Sequence, residues 1–234
     1  MRRLIMLSPI FLSLRIATIA TVFSLIFGIL MAYLLNKRNI PGKSIWETLL
    51  ILPMILPPSV TGYILLIAFG KRGFIGKFLL ETFGVQVVFT WVGAVIASFI
   101  VSLPLMYQNV KTAFISTDPI YEKAAETLGS SELKKFMTIT IPLAWPGIIS
   151  GIVLSFARAI GEFGATLMIA GNIPGKTQTI PTAIYFAVES GNDELANKLV
   201  IIMTVFSFAL ILGLNAWLKG KNYIGRLYEH LFQY

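Results

Sequence analysis

Long apolar stretches, nearly free of charge, alternate with short polar segments along the chain. Five of them approach or exceed the roughly 20 residues that an α-helix needs to cross a bilayer. They lie at about 10–36, 48–70, 85–110, 142–159 and 199–218. The pattern therefore predicts an all-α polytopic membrane protein, folded as a single transmembrane domain over residues 1–234.

The second stretch contains Pro53, Pro57 and Pro58. Each proline removes a backbone donor, so we expect the helix to be kinked or broken there. A membrane tolerates such a break only where protein or a water-filled cavity satisfies the freed carbonyl groups. The prolines therefore indicate either a packing kink or a position on a pore, and we take Ser59 and Thr61, just after them, as candidate pathway residues.

Small residues recur at every fourth position of the fourth stretch, at Gly147, Gly151, Ser155 and Ala159. Membrane helices associate by close packing, without a hydrophobic force between them, and a seam of small residues permits a close approach. The seam predicts a helix contact inside one subunit. A contact between two subunits is the alternative.

Arg158 and Glu162 stand four residues apart near the end of the same stretch. Charges at membrane depth are costly, and they usually pair or face an interior. The spacing predicts an i, i+4 ion pair with a structural role. The functional alternative is that Arg158 attracts an anion to the mouth of a pathway, which makes both residues pathway candidates.

Glycines and polar residues interrupt the apolar pattern over 161–192. An extra short membrane helix near 160–171 or 180–190 would raise the number of spans from five to six. The segment 172–181 is polar and rich in turn formers, which is typical of a surface loop and also suits contact with an oxyanion or a binding protein. Thr166 and Asn172 complete the set of pathway candidates.

The segment between the third and fourth stretches is charged, polar and helical in pattern. Asp118 can cap a helix that begins with Pro119. Ile120, Ala124 and Leu128 follow at i, i+4 and i+8, so this helix has one small apolar face.

Gly129 suits a left-handed C-cap, and Ser130 or Ser131 can cap a second short helix. The sequence thus predicts two short helices in a bend over residues 118–135, which we call the polar bend. A bend of this kind is either an ordinary solvated loop between membrane spans or a surface for a soluble partner.

Composition supports a membrane location and narrows the chemistry. Of the 234 residues, 56% are hydrophobic and 13% are charged, against about 25% charged in a typical soluble domain. The net charge of +8 suits anionic lipid head groups or an anionic cargo. No basic-aromatic patch indicates nucleic acid, and the absence of cysteine excludes disulfides and thiolate metal sites.

The sequence carries no catalytic pattern. It has no phosphate-binding Gly-Lys loop and no Ser/His/Asp or metal-ligand set, so we expect no catalytic residue, metal or cofactor in this chain. An intramembrane enzyme would need paired acids, and Glu162 is the only acid in the five stretches if the fourth is extended to Gly171, to which its apolar character continues. A passive channel or secondary transporter is a further alternative, although the inverted repeats of many transporters are not evident.

The polar bend resembles the EAA loop of permease subunits of ABC importers. The matching residues are Glu122, Ala124, Ala125, Gly129, Ile141, Pro142 and Pro146. The resemblance implies that the loop at about 111–141 is a cytoplasmic coupling helix that docks into a groove of an ATPase. One departure is Lys123, which stands at the family's usual Glu position and makes the charge pairing there an open question. We take Glu122, Lys123, Ala124, Ala125 and Gly129 as candidate coupling residues.

Other segments resemble the permease subunits of bacterial molybdate ABC importers. These segments are ILPPSVTGY, FTWVGAVIASFIVSLPLMYQNVKTAF and ARAIGEFGATLMIAGNIPGKTQTIPTAIY. The GEFGATLMIAGN piece is shared with sulfate and thiosulfate permeases, whereas the piece that follows it favours molybdate. The resemblance implies a homodimeric pathway, two ATPases that carry ATP and Mg²⁺, and an extracytoplasmic binding protein that delivers molybdate. Tungstate, sulfate and thiosulfate are the alternative cargoes.

Orientation follows from the EAA resemblance more than from charge. If the 111–141 loop is cytoplasmic, the N-terminus lies outside and the C-terminus inside. Loop 37–47 and the tail from 219 are then also inside, and the inner segments carry a small excess of Lys and Arg. This excess agrees with the positive-inside rule, by which cytoplasmic segments carry more Lys and Arg than external ones.

Overall fold

The computed structural model describes the backbone of residues 2–37 and 40–231 and the side chains of residues 7–36 and 40–220. Side chains at 37–39 and from 221 onward, some of which contribute to the charge comparison above, lie outside the described residues.

The regular elements of the described ranges are all helical, which confirms the all-α prediction. In chain order they are α1 (Arg2–Lys37), α2 (Lys43–Ile55), α3 (Pro58–Phe69), α4 (Phe74–Phe83), α5 (Trp91–Ser116), α6 (Pro119–Thr127), α7 (Glu132–Lys135), a π-helical turn (Phe136–Thr140), α8 (Ile141–Ile160), α9 (Gly164–Ala170), α10 (Ile180–Glu189) and α11 (Asp193–Leu231).

Four helical segments of the described residues are long and apolar enough to cross a bilayer, and the bent pair α2–α3 gives a fifth. They correspond to the five predicted spans, although their ends differ. The third begins at Trp91 and not at 85, because Phe89 has a φ of 60° and the Thr90 side chain accepts a hydrogen bond from the amide of Gly93. The sequence also missed α4, a short helix between the second and third spans.

The proline-rich second span is broken, as predicted. Helix α2 ends at Ile55, Leu56 is extended, and α3 restarts with Pro58 in its first turn. The two halves meet at an angle of 114°. Pro58 fits there because the N–H of a first-turn residue makes no hydrogen bond within the helix, so none is lost when proline lacks it. Deeper in a helix, a proline ring would clash with the preceding turn.

Helix α5 lies at the centre of the described fold and packs against α1 and α8. Small residues let the backbones approach: a Cβ added at Gly28 of α1 would lie 2.5 Å from Cγ of Met106. The hydroxyls of Ser24 and Ser102 are 2.9 Å apart in the same buried contact. Close packing and an interhelical hydrogen bond are the interactions that hold membrane helices together.

The seam on α8 faces α5 within the same chain. A Cβ at Gly147 would lie 2.4 Å from Cβ of Ala113, and one at Gly151 would lie 2.9 Å from Sδ of Met106. Ser155, fully buried, donates a 3.2 Å hydrogen bond to the Ser102 carbonyl. The prediction of a contact inside one subunit is therefore confirmed.

The region after α8 forms two short helices, α9 of 7 residues and α10 of 10 residues. At about 1.5 Å per residue neither reaches across a hydrocarbon core of about 30 Å. The extra helices that the sequence suggested therefore exist, but they do not add a sixth span. They follow the last residue of α8 and pack against α3 and α11, whereas the polar bend precedes the first residue of α8.

Candidate coupling and pathway sites

The polar bend folds as its capping residues predict. Oδ1 of Asp118 accepts a 2.9 Å hydrogen bond from the amide of Ile120, and Pro119 occupies the first helical position. Gly129 has a φ of 77°, the left-handed conformation of a helix C-cap. Of the two serines considered, it is Ser131 that caps α7, accepting from the amide of Lys134 at 3.4 Å.

Helix α6 turns its apolar face away from the rest of the chain. Ile120 is 62% exposed and Leu128 86% exposed, and Ala124 between them is exposed as well. Ala125 is the buried residue of this helix, at 5%. A solvent-directed stripe of apolar residues on a short polar helix is a candidate protein contact.

Two polar contacts tie α6 to the chain that follows it. Oε1 of Glu122 accepts a 2.6 Å hydrogen bond from the hydroxyl of Thr140, the last residue before α8. The ammonium group of Lys135 pairs with Glu126 of α6 and, at 2.7 Å, with Glu132 of α7. The Lys135 side chain is 2% exposed, so the cation lies inside the bend between the two carboxylates.

Lys135 was not predicted as a structural residue. The i, i+3 spacing of Glu132 and Lys135 in the sequence could have predicted the ion pair between these two residues. The pair with Glu126 crosses the turn at Gly129 and has no sequence periodicity. A π-helical turn then joins α7 to α8, where Phe136 packs on Tyr33 of α1 with ring centroids 4.4 Å apart.

The pathway candidates gather at the far end of α8. Helix α3 packs closely on α9: a Cβ added at Gly62 would lie 2.7 Å from Cα of Ala165. Thr61 and Thr166 are next to this contact in sequence, and both are buried. Their hydroxyl oxygens have no hydrogen-bond partner among the described residues. Ser59, in the first turn of α3, is exposed.

The predicted ion pair is formed. Nη1 of Arg158 lies 2.7 Å from Oε2 of Glu162, whose side chain is 1% exposed against 33% for the arginine. The other oxygen, Oε1, accepts a 2.8 Å hydrogen bond from the amide of Ala165. The buried carboxylate thus holds the first turn of α9, while the guanidinium side of the pair remains accessible.

The hydroxyls of segment 172–181 are largely used within the chain. Thr177 accepts from the amide of Ile173 at 3.0 Å, and Thr179 and Thr182 form a capping box at the start of α10. Oδ1 of Asn172 is buried without a described hydrogen-bond partner. Lys176 is exposed in this segment, whereas the unpaired oxygen of Asn172 lies below the surface.

The candidates therefore form two groups. The coupling candidates lie before α8, and the pathway candidates lie at or beyond its end. Helix α8 has 20 residues, about 30 Å of length at 1.5 Å per residue. A continuous helix thus joins the two groups. No cluster of three or more potential metal ligands occurs among the described residues.

Residues 24–220 match the family described as the binding-protein-dependent transport system inner membrane component. The matched region includes both groups of candidate residues. It also contains all of α2 to α10, so the match extends over the whole helical bundle and not only over the polar bend.

Curated relatives align over nearly the same length. The chain is 48% identical over 204 residues to the "Putative molybdenum transport system permease protein YvgM" of Bacillus subtilis (strain 168), covering 87% of this chain and 90% of the relative. It is 45% identical over 210 residues to the molybdenum transport system permease protein ModB of Escherichia coli (strain K12), covering 89% and 91%. The sulfate transport system permease protein CysT of Salmonella typhimurium is 34% identical over 211 residues, covering 89% and 76%.

Solved ABC transporters share the fold. The structure of the MetNI methionine ABC transporter in inward-facing conformations matches with a TM-score of 0.70 at 12% identity, covering 92% of this chain and 95% of that chain. A bacterial importer of the acidic polysaccharide alginate matches with a TM-score of 0.72 at 15% identity, covering 91% and 78%. With this fold and the match over residues 24–220, the chain belongs to the binding-protein-dependent transport system inner membrane component family and is a multi-pass protein of the inner membrane.

Proposed function

We propose that this chain is the permease subunit of an ATP-driven ABC importer that carries molybdate into the cytoplasm. The observation that carries the proposal is the identity of 48% and 45% to two molybdenum permeases over most of the chain. The corresponding value for a sulfate permease is 34%. Sulfate or thiosulfate is therefore the second candidate cargo, and tungstate, which resembles molybdate in shape and charge, is the third.

The proposed assembly contains two copies of this chain, two cytoplasmic ATPase subunits and an extracytoplasmic binding protein. ATP and Mg²⁺ are bound by the ATPase subunits, and this chain binds neither. The proposed orientation places the N-terminus outside and the polar bend and C-terminus in the cytoplasm. The exposed apolar face of α6 supports this arrangement, because a soluble subunit would cover Ile120 and Leu128.

The polar bend would transmit movement of the ATPase to the membrane helices. The pair Glu122–Thr140 connects α6 to the end of the π-helical turn, directly before α8, and the pair Lys135–Glu126 connects α6 to α7. A displacement of α6 would then move α8, since polar ties and a continuous helix resist local deformation. Alternating access would follow as the outer end of α8, with Arg158, changes position relative to the broken span α2–α3.

The proposed pathway binds its cargo weakly. The guanidinium group of Arg158 would attract a doubly charged oxyanion, and the pair with Glu162 would prevent tight retention. Ser59, Thr61 and Thr166 offer hydroxyl donors on the contact between α3 and α9, and Asn172 lies beyond it. A transported substrate must be able to leave each site that it enters. A few separate hydroxyl donors allow this, whereas a site that coordinates the oxyanion on all sides would retain it.

Competition during uptake tests the proposed cargo. Membrane vesicles that contain the whole complex take up labelled molybdate while unlabelled tungstate, sulfate or thiosulfate is added outside. We expect tungstate to compete strongly and sulfate weakly. Unlabelled molybdate added in a parallel sample gives the reference, and stronger competition by sulfate than by this unlabelled molybdate would assign the chain to the sulfate alternative.

Docking of the ATPase is tested separately. Gly129→Pro removes the left-handed cap, and Ala125→Trp places a large ring at a buried position, so either change should abolish co-purification of the ATPase while the protein still inserts. Gly175→Pro is the matched control, since Gly175 also has a positive φ and open space around it. If the ATPase co-purified normally with Gly129→Pro and with Ala125→Trp, docking at this site would be contradicted.

A further inference from the structure

Opposite faces of α6 differ in chemistry. Ile120, Ala124 and Leu128 recur at intervals of four and define one face, which is exposed. Glu122 and Glu126 also stand four apart, and with 3.6 residues per turn their face is directed about 180° away. The two glutamates of this helix therefore lie on the side opposite the apolar face.

Both glutamates are engaged on that side. Glu122 accepts the hydrogen bond from Thr140, and Glu126 pairs with the buried ammonium group of Lys135. Lys135 also pairs with Glu132 of α7. Lys135 and the hydroxyls of Thr140 and Tyr33, the last donating to Glu132 at 3.5 Å, thus hold the three carboxylates away from the apolar face.

Lys123 has a different position. It lies on the flank of the apolar face, is exposed, and forms no ion pair among the described side chains. Apart from the backbone hydrogen bonds of α6, the contact described for Lys123 is made by its backbone carbonyl, which accepts from the hydroxyl of Thr127. Its ammonium group therefore points to solvent beside an exposed apolar stripe.

We infer that the partner surface covering this face is an apolar groove with an acidic side chain opposite Lys123. The inference rests on the proposed docking of an ATPase subunit and specifies the chemistry of its groove. An uncompensated lysine at the edge of a covered surface would lose hydration, so its complement is a carboxylate. Apolar contacts with Ile120 and Leu128 supply most of the affinity, and the charge pair sets register and salt dependence.

The test is a titration of the detergent-solubilised permease with the ABC ATPase subunit of the same transport system, at about 50 mM and about 500 mM salt. Rim charges act over a Debye length, which shrinks severalfold between these conditions. Lys123→Glu should weaken binding about tenfold at the lower salt and much less at the higher salt, as expected for a pair at the rim. Lys123→Gln should have an intermediate effect. Lys176→Glu, at an exposed lysine in the 172–181 segment, is the matched control and should have none.

Leu128→Ser separates this inference from docking itself. It removes an exposed apolar side chain and should weaken binding at both salt concentrations, with no change in elution of the permease on size exclusion. If Leu128→Ser weakens binding but Lys123→Glu does not, the acidic complement is wrong and docking stands. If neither changes binding, α6 is not the docking helix and the proposed function loses its mechanical basis.

Discussion

The hydroxyl of Thr140 and the carboxylate of Glu122 are joined by a 2.6 Å hydrogen bond that links α6 to the base of α8. The two residues are 18 positions apart, and the whole turn at Gly129 lies between them. A hydrogen bond to a charged group contributes about 1.5–3 kcal/mol. The contact therefore ties the bend to the base of α8, and its role in transmitting movement is the part of the proposal that can be tested here.

Thr140→Val tests this connection. The bond is lost while the side chain keeps its shape, so the ATPase should still bind and hydrolyse ATP, but molybdate moved per ATP should fall about tenfold, the equivalent of about 1.4 kcal/mol. The measurement is the ratio of uptake to phosphate release in proteoliposomes. Thr138→Val is the control, because Thr138 donates only to its own helix at the Lys134 carbonyl. An unchanged ratio in Thr140→Val would show that this contact does not transmit movement.

Lys135→Met should loosen the polar bend. Removal of the buried cation leaves Glu126 and Glu132 without their shared counter-charge, which favours opening of the turn. We expect amide hydrogen exchange over 119–135 to accelerate at least about tenfold, which corresponds to about 1.4 kcal/mol of local stability. Lys134→Met, at the adjacent exposed lysine, should leave exchange unchanged. Equal protection in both variants would argue against a structural role for Lys135.

Arg158→Met should destabilise the protein more than Arg158→Met combined with Glu162→Gln. The single change leaves a buried carboxylate without its cation, at a cost toward the lower end of about 3–5 kcal/mol because Arg158 is a third exposed. In the double variant Glu162→Gln removes the negative charge, and the side-chain amide oxygen still accepts from the amide of Ala165. Thermal unfolding in detergent measures the difference. Equal loss of stability in both variants, with uptake abolished, would favour an independent role of Arg158 in the pathway.

Gly62→Ala should damage the contact between α3 and α9. The added Cβ would lie 2.7 Å from Cα of Ala165 and 2.7 Å from Cβ of Met168, so the helices must separate. Overpacking of this kind costs about 1–3 kcal/mol. Gly213→Ala is the control, because no heavy atom lies within 4 Å of the added Cβ and alanine favours the helix. The midpoints of thermal unfolding should fall for the first variant and hold or rise for the second.

Much of the fold was predictable because its signals are local. Apolar length predicted the five spans, and the prolines predicted a kink or break in the second, which lies at Leu56 before Pro57 and Pro58, whereas Pro53 is inside α2. The caps of the polar bend followed from Asp118 and Gly129, whose backbone preferences do not depend on distant residues. The i, i+4 spacing of Arg158 and Glu162 likewise placed the ion pair correctly.

The sequence could not predict contacts that depend on how the chain folds back. The pairs Lys135–Glu126 and Thr140–Glu122 cross a turn, so neither has a helical period. The start of α5 was misplaced because Val85, Val87, Val88 and Phe89 continue the hydrophobic pattern although Phe89 adopts a left-handed backbone. Helix α4 was missed because its exposed Phe74 and Phe78 lie beside charged residues and give no continuous apolar run.

Coupling of transport to nucleotide is the most direct test of the account. Proteoliposomes that contain the permease, the ATPase and the binding protein are loaded with or without ATP on the ATPase side, and uptake of labelled molybdate is recorded. We predict uptake that requires ATP and that disappears in Gly129→Pro, while Gly84→Pro, at the left-handed C-cap of α4 with open space around it, transports normally. Molybdate uptake that continues without ATP hydrolysis, or that survives Gly129→Pro, would contradict the role assigned to the polar bend.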